Sequence, residues 1–343
     1  MQHPRDILLG AQARTGVLPV CDHYSGAPAR MAKSLALQAD LMQEMGACVF
    51  DVTLDCEDGA PAGGEIEQAH AVCELLTRYS APADGPAASV VPRVGARVHA
   101  IDHPHFESDI AIIVGGAADA LSYLMVPKVE SVDDVHRALT AIDAAAGHAL
   151  LPLHVLIESP AAVQQAFAIA AHPRVQSISF GLMDFVSAHG GAIPASAMGL
   201  RAPGDAHGLD QLHHPLVVRA KLEIASACHA YGKVPSHCVV TELRDAAALE
   251  RAARYAATAL GYTRMWSIHP DQIRPILRGF APLASEVDLA ARIVHAASCA
   301  EWAPIAVDGK LHDRASYRYF WQVLERAHQT GQTVPAELQH YFV

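Results

Sequence analysis

Glu158 and Asp184 are the two residues of this sequence best placed to hold a metal ion. Each follows an apolar, strand-like run, L-P-L-H-V-L-I before Glu158 and V-Q-S-I-S-F-G-L-M before Asp184. The helical pattern A-A-V-Q-Q-A-F-A-I-A-A lies between them, so the 26-residue spacing is one strand–helix–strand unit. Such a unit sets both carboxylates at the same edge of a parallel sheet, on neighbouring strands. Two oxygen ligands side by side suit a hard divalent cation such as Mg²⁺, with the remaining coordination positions left to water and substrate. Asp184 could also be a helix N-cap, but for the pair together ligation is the favoured reading.

Other polar residues fall at the ends of strand-like runs. Asp55, Glu57 and Asp58 stand in D-C-E-D-G, where they could serve the site or form a turn before Gly59 and Pro61. Arg93 ends a run in P-R-V, and Lys128 follows one in V-P-K-V-E. Arg93 suits a substrate carboxylate, and it could also be a structural ion pair. Lys128 could bind substrate or simply pair with an acid. His237 and His269 read as packing residues and Cys56 as an apolar filler. Acidic ligands, an arginine and few hydroxyl nucleophiles point to metal-assisted enolate chemistry.

The elements that must position these groups alternate along the chain. Strand-like runs are expected at 16–20, 48–54, 89–94, 120–126, 153–157, 175–180, 233–238 and 264–268. Helical runs are expected at 28–45, 64–79, 106–115, 132–146, 161–171, 215–231, 242–260 and 270–280. Eight alternations are what a closed parallel (β/α) barrel of the TIM type needs, with the active site at the carboxyl ends of its strands. No G-x-G-x-x-G follows any run, which argues against a dinucleotide-binding open sheet. The segment 187–212 reads as an extended loop over the active site. The expected organisation is a catalytic barrel over 1–281 and a helical C-terminal extension over 282–343, with helices at 285–300 and 316–329 and an extended piece at 304–307.

Composition narrows the class. The 343 residues are 51% hydrophobic and 18% charged, enough for a large core. A formal charge of −11 argues against nucleic acid or an anionic membrane as partner. Seven scattered cysteines form no C-x-x-C pair, so reduced thiols and a cytoplasmic setting are expected. No secretory signal and no membrane span is expected.

Six motifs then run in order: D-C-E-D-G-A at 55–60, P-R-V at 92–94, V-P-K-V-E-S at 126–131, L-I-E-S-P at 156–160, F-G-L-M-D-F at 180–185 and S-I-H-P-D-Q-I at 267–273. Together they resemble the superfamily of citrate lyase beta chains, malyl- and citramalyl-coenzyme A lyases and 4-hydroxy-2-oxoheptanedioate aldolases. The resemblance spans about Arg14 to Ala327. It implies a trimeric or hexameric barrel of the phosphoenolpyruvate/pyruvate type, with Mg²⁺ (or Mn²⁺) held by Glu158 and Asp184. It further implies that Arg93 grips the substrate, with Arg14 and Lys128 as further contacts, and that Glu57 and Asp58 orient metal-bound waters.

D-G-K-L-H-D at 308–313 resembles a segment whose last Asp enters the neighbouring subunit's site as acid/base, which makes Asp313 its counterpart. Four features depart from the family pattern: R-V-G for R-V-N at 93–95, Cys56 for a Leu, Gly64 and Glu65 where a Lys usually follows the acidic turn, and His312 for an Ile. The implied activity is Mg²⁺-dependent carbon–carbon cleavage of a β-hydroxyacyl thioester to an oxo acid and an acyl thioester. The alternatives are an aldolase releasing pyruvate from a free 4-hydroxy-2-oxo acid, and an accessory lyase subunit that needs a carrier protein.

Overall fold

The computed structural model describes all residues except 1–2, 11–16, 80–90, 148, 203, 206 and 343. Eight parallel strands close into a barrel in sequence order: β1 (Cys21–Ser25), β2 (Phe50–Asp55), β3 (Val94–Arg97), β4 (Tyr123–Val126), β5 (Leu153–Ile157), β6 (Val175–Phe180), β7 (Val234–His237) and β8 (Arg264–Ser267). β8 pairs with β1 through Cys21–Met265 to Ser267–His23, which completes the closure.

A short α1 (Pro4–Leu9) precedes the barrel, and α2 (Pro28–Met45) and α3 (Glu65–Tyr79) follow the first two strands. After β3 the expected single helix is broken into α4 (Phe106–Asp109), a π turn (Ile110–Val114) and α5 (Gly115–Ala117). The outer layer continues with α6 (Val132–Ala145), the pair α7 (Pro160–Gln164) and α8 (Ala166–Ala171), α9 (Leu182–Ser187), α10 (Pro215–Ala230), α11 (Ala246–Ala259) and α12 (Ile273–Phe280). Each main helix turns a small-residue or aliphatic stripe to the sheet. On α11 that stripe is Leu249, Ala252, Ala253 and Ala256, begun by the Asp245 N-cap.

Two strands fall later in the sequence than expected, for one physical reason. β1 lies at 21–25 rather than 16–20, and β3 at 94–97 rather than 89–94. Pro19 and Pro92 lack the N–H a ladder needs, so the described residues beside them stand before the strands rather than in them. The strands that follow look unpromising in sequence because they carry Asp22 and His23, or Gly95. Their polar side chains are satisfied inside the barrel. Asp22 accepts from the Thr53 hydroxyl at 2.7 Å and pairs with Arg264, which also reaches Asp51 at 2.8 Å. Gly95 is required because a Cβ there would stand 2.3 Å from the Tyr123 ring, which crosses the barrel interior.

The C-terminal extension comprises α13 (Ala284–Cys299), a hairpin of β9 (Ile305–Val307) and β10 (Lys310–His312), and α14 (Arg314–Gln329). It builds a second apolar cluster around Trp321, Tyr317, Leu324, Ile293 and Val294, and that cluster also takes in Leu8 and Leu9 of α1. By packing, the first helix therefore belongs with the extension. The far half of α14 lies against the amino-terminal ends of the strands, since Gln322 and Arg326 share a cavity with Leu18, Val234 and Thr263.

Candidate active site at the carboxyl ends of the strands

Glu158 directly follows β5 and its side chain is buried inside the barrel mouth. Gly181, directly after β6, leaves the space that this side chain fills: a Cβ on Gly181 would lie 2.5 Å from the Glu158 Cγ. Burial, then the charges of Glu57 and Asp184, push the Glu158 pKa up to about 8, against the opposing pull of Arg97 and Lys128. One carboxylate oxygen of Glu158, Oε2, is buried and meets no hydrogen-bond donor. Asp184 sits in the first turn of α9, exposed, and near enough for its charge to act on Glu158. Its backbone belongs to a helix that the sequence reading did not anticipate, yet its N-cap position is taken by Gly181, so the carboxylate is not a cap.

Arg93 is not at this site. It precedes β3 at the opposite, amino-terminal end of the barrel, where its Nε donates to Asp51 at 3.1 Å. The expectation that Arg93 grips substrate is corrected: shifting the strand by four residues puts Arg97 at the carboxyl end. The second Arg-Val pair, R-V-H at 97–99, rather than R-V-G at 93–95, stands where β3 ends. Arg97 is 3% exposed and forked onto Asp55 with two bonds of 2.6 Å, while its Nη1 reaches Glu57 at 2.7 Å. Its guanidinium carbon also lies 4.9 Å from the centre of the Tyr24 ring. Two carboxylates and an aromatic face thus fix the direction of this cation.

Lys128 donates to Glu57 and stands 3.9 Å from Asp58. Its backbone is left-handed, with φ of 52°, a conformation that costs a lysine about 1 kcal/mol and aims the side chain over the mouth. Glu57 therefore bridges Arg97 and Lys128, while Asp58 remains largely in solvent. Beneath these charges lies an apolar floor of Met125, Leu156 and Trp266, with Tyr24 and Val239 packed against it. The indole N–H of Trp266 donates to the Ser179 hydroxyl at 2.9 Å, and its ring meets Tyr24 edge-on at 5.1 Å. This floor lowers the local dielectric, which is why the Glu158 carboxylate is costly to ionise without a cation.

The remaining candidates have structural places. His237 is fully buried, with Nδ1 against the Cys238 carbonyl and its ring edge-on to Tyr262. His269 caps the turn that leads into α12. Cys56 is buried among apolar residues. Asp313 is the N-cap of α14, accepting from the N–H groups of Ala315 and Ser316. Arg14 lies outside the described residues. The loop at 187–212 folds back on itself and on Glu242, whose carboxylate accepts from the Leu200 N–H at 2.8 Å.

Sequence reasoning missed Arg97, Tyr24 and Trp266. The signal for Arg97 was the second Arg-Val pair four residues after the first; the aromatic residues carried none, because an aromatic in a strand normally reads as core.

The donor set fits a hard cation. Among the described residues no group of three or more His, Cys, Asp or Glu side chains converges, so the mouth offers a carboxylate pair rather than a closed cage. The unpartnered Oε2 of Glu158 is the feature an ion would satisfy.

Residues 34–270 match the family model described as HpcH/HpaI aldolase/citrate lyase, and the chain belongs to that family. It is a carbon–carbon lyase. It is 30% identical over 248 residues to an L-malyl-CoA/beta-methylmalyl-CoA lyase of Rhodobacter capsulatus, covering 68% of this chain and 76% of that protein. A crystal structure of a citrate lyase from Burkholderia xenovorans LB400 superposes with a TM-score of 0.76 at 45% identity, over 100% of this chain and 99% of the other. Protein CitE of Mycobacterium tuberculosis, crystallised with magnesium, acetoacetate and coenzyme A, shares the fold at a TM-score of 0.64 and 24% identity, over 91% and 98% of the two chains.

Proposed function

We propose that this chain is a Mg²⁺-dependent lyase that cleaves a β-hydroxyacyl thioester to an oxo acid and an acyl thioester. The observation that carries the reading is the buried, unpartnered oxygen of Glu158 beside Asp184, at the carboxyl edge of a barrel of this family. Glu158 and Asp184 would hold the ion, which supplies Lewis-acid polarisation of the oxo-acid oxygens when bound.

This chain's own residues do the rest. Arg97, held by Asp55 and Glu57, presents a fixed positive charge where the fragment's carboxylate and developing enolate charge must lie. Preorganised groups of this kind contribute about 3–4 kcal/mol to such reactions. Lys128 fixes Glu57 from the other side, so the acidic turn cannot swing into the space of the substrate. The floor of Met125, Leu156 and Trp266 excludes water from beneath the reacting carbon.

Proton transfer is assigned to Asp313 of a neighbouring copy. The likeness of D-G-K-L-H-D at 308–313 to the family's acid/base segment supports this assignment, and under it the complete site is shared within an oligomer. The malyl-CoA lyase similarity favours a coenzyme A thioester over a free hydroxy-oxo acid.

The test is a screen of the purified chain with Mg²⁺ against malyl-, citramalyl- and citryl-coenzyme A and free 4-hydroxy-2-oxo acids, following glyoxylate, pyruvate and oxaloacetate. Thioester cleavage that is lost in Glu158→Gln supports the proposal. Turnover of free acids alone replaces it with the aldolase reading.

A further inference from the structure

A cavity of about 350 Å³ lies at the end of the barrel opposite the mouth, between the amino-terminal ends of the strands and α14. Arg5, Lys233 and Arg326 line it, with Glu325 as the one carboxylate among its described residues. That carboxylate is already engaged by Arg5. Lys233 donates to the carbonyl oxygens of His172 at 3.0 Å and Pro173 at 3.4 Å, and faces no acid.

Arg326 is the outlier. It is half-buried, and its guanidinium has no hydrogen-bond or ion-pair partner among the described residues. Burial draws its pKa below the usual guanidinium value, and burial does the same to Lys233. In a chain with 36 acidic residues against 25 basic ones, a chamber holding three cations and one occupied carboxylate is a local reversal of sign. The opposite wall is apolar, formed by Leu9, Val17, Leu18 and Val234. A guanidinium with five N–H donors and few acceptors beside an apolar wall is a receptor for an anionic head on a carbon body.

We propose that this cavity binds a small organic anion. Its carboxylate or phosphate head meets Arg326, and its body lies against Leu9, Val17 and Val234. Because those groups come from the strand ends, α1 and α14, occupancy ties the extension to the barrel. This site is separate from the mouth, and the proposal stands independently of the substrate assigned there.

The experiment is calorimetric titration and thermal melting of the full chain without Mg²⁺, with hexanoate, citrate and inorganic phosphate as probes. At least one should bind and raise Tm with concentration, and its affinity should fall about tenfold or more in Arg326→Gln. Loss of hexanoate or citrate binding identifies a carboxylate head; loss of phosphate binding identifies a phosphate head. Equal affinity in the variant, or no binding by any probe at millimolar concentration, overturns the proposal. Should Arg326→Gln not fold, a wild-type crystal soaked in 6-bromohexanoate decides: anomalous density beside Arg326 supports the site, and its absence there overturns it.

Discussion

Lowering the pH from 8 to 6 should weaken Mg²⁺ binding about fiftyfold. The perturbation acts on Glu158, whose pKa is pushed up to about 8 by burial and by the charges of Glu57 and Asp184. A carboxylate must lose its proton to ligate a metal, so apparent affinity follows the ionised fraction of the free protein. That fraction is about one half at pH 8, about one tenth at pH 7 and about one hundredth at pH 6. Calorimetry at pH 7 in buffers of different ionisation enthalpy should therefore report about 0.9 proton released per ion bound.

The same shift has a stability sign. A carboxyl whose pKa is raised by folding favours the native state while it stays protonated. That contribution is complete below its ordinary value near 4.5 and is lost as pH rises through about 8. The metal-free chain should melt lower at pH 8.5 than at pH 6, with a ceiling of roughly 2.5 kcal/mol on the difference, and Mg²⁺ should restore it. An affinity that moves less than about threefold between pH 6 and 8, with no proton released, would refute the reasoning: Glu158 would then be ionised already or not a ligand.

Arg97→Met should leave Asp55 and Glu57 unpaired and cost about 3–5 kcal/mol in chemical denaturation along with most of the activity, whereas Arg93→Met should cost stability through Asp51 and leave KM nearly unchanged. Gly181→Ala should keep the fold but displace Glu158, visible as Mg²⁺ affinity at least about tenfold weaker; unchanged affinity would show that Glu158 has room to spare. Asp313→Asn should preserve metal binding and helix capping, since Asn also caps, while turnover falls; an unchanged rate would remove the neighbour's acid from the mechanism.

Glu158, Asp184 and Lys128 could be placed at strand ends from the amino-acid sequence because each follows an apolar run or a proline that signals one, and Glu57 and Asp58 because they stand in the turn after another. Strand and helix periodicity gave the eight-fold alternation for the same reason: burying one face of each element dictates its pattern. β5 and β6, whose apolar residues outnumber the buried His154, Ser177 and Ser179, were placed to the residue. What one chain's linear pattern does not carry is which polar residues will find partners. Asp22, His23 and Gly95 look like interruptions until the closed barrel sets Thr53, Arg264 and Tyr123 opposite them. That tertiary pairing moved β1 and β3 along the chain and exchanged Arg93 for Arg97 at the mouth. It also turned Lys128 into a partner of Glu57 and set Arg326 on the wall of a cavity without a carboxylate partner among the described residues, because the charge that surrounds a side chain depends on contacts far apart in sequence.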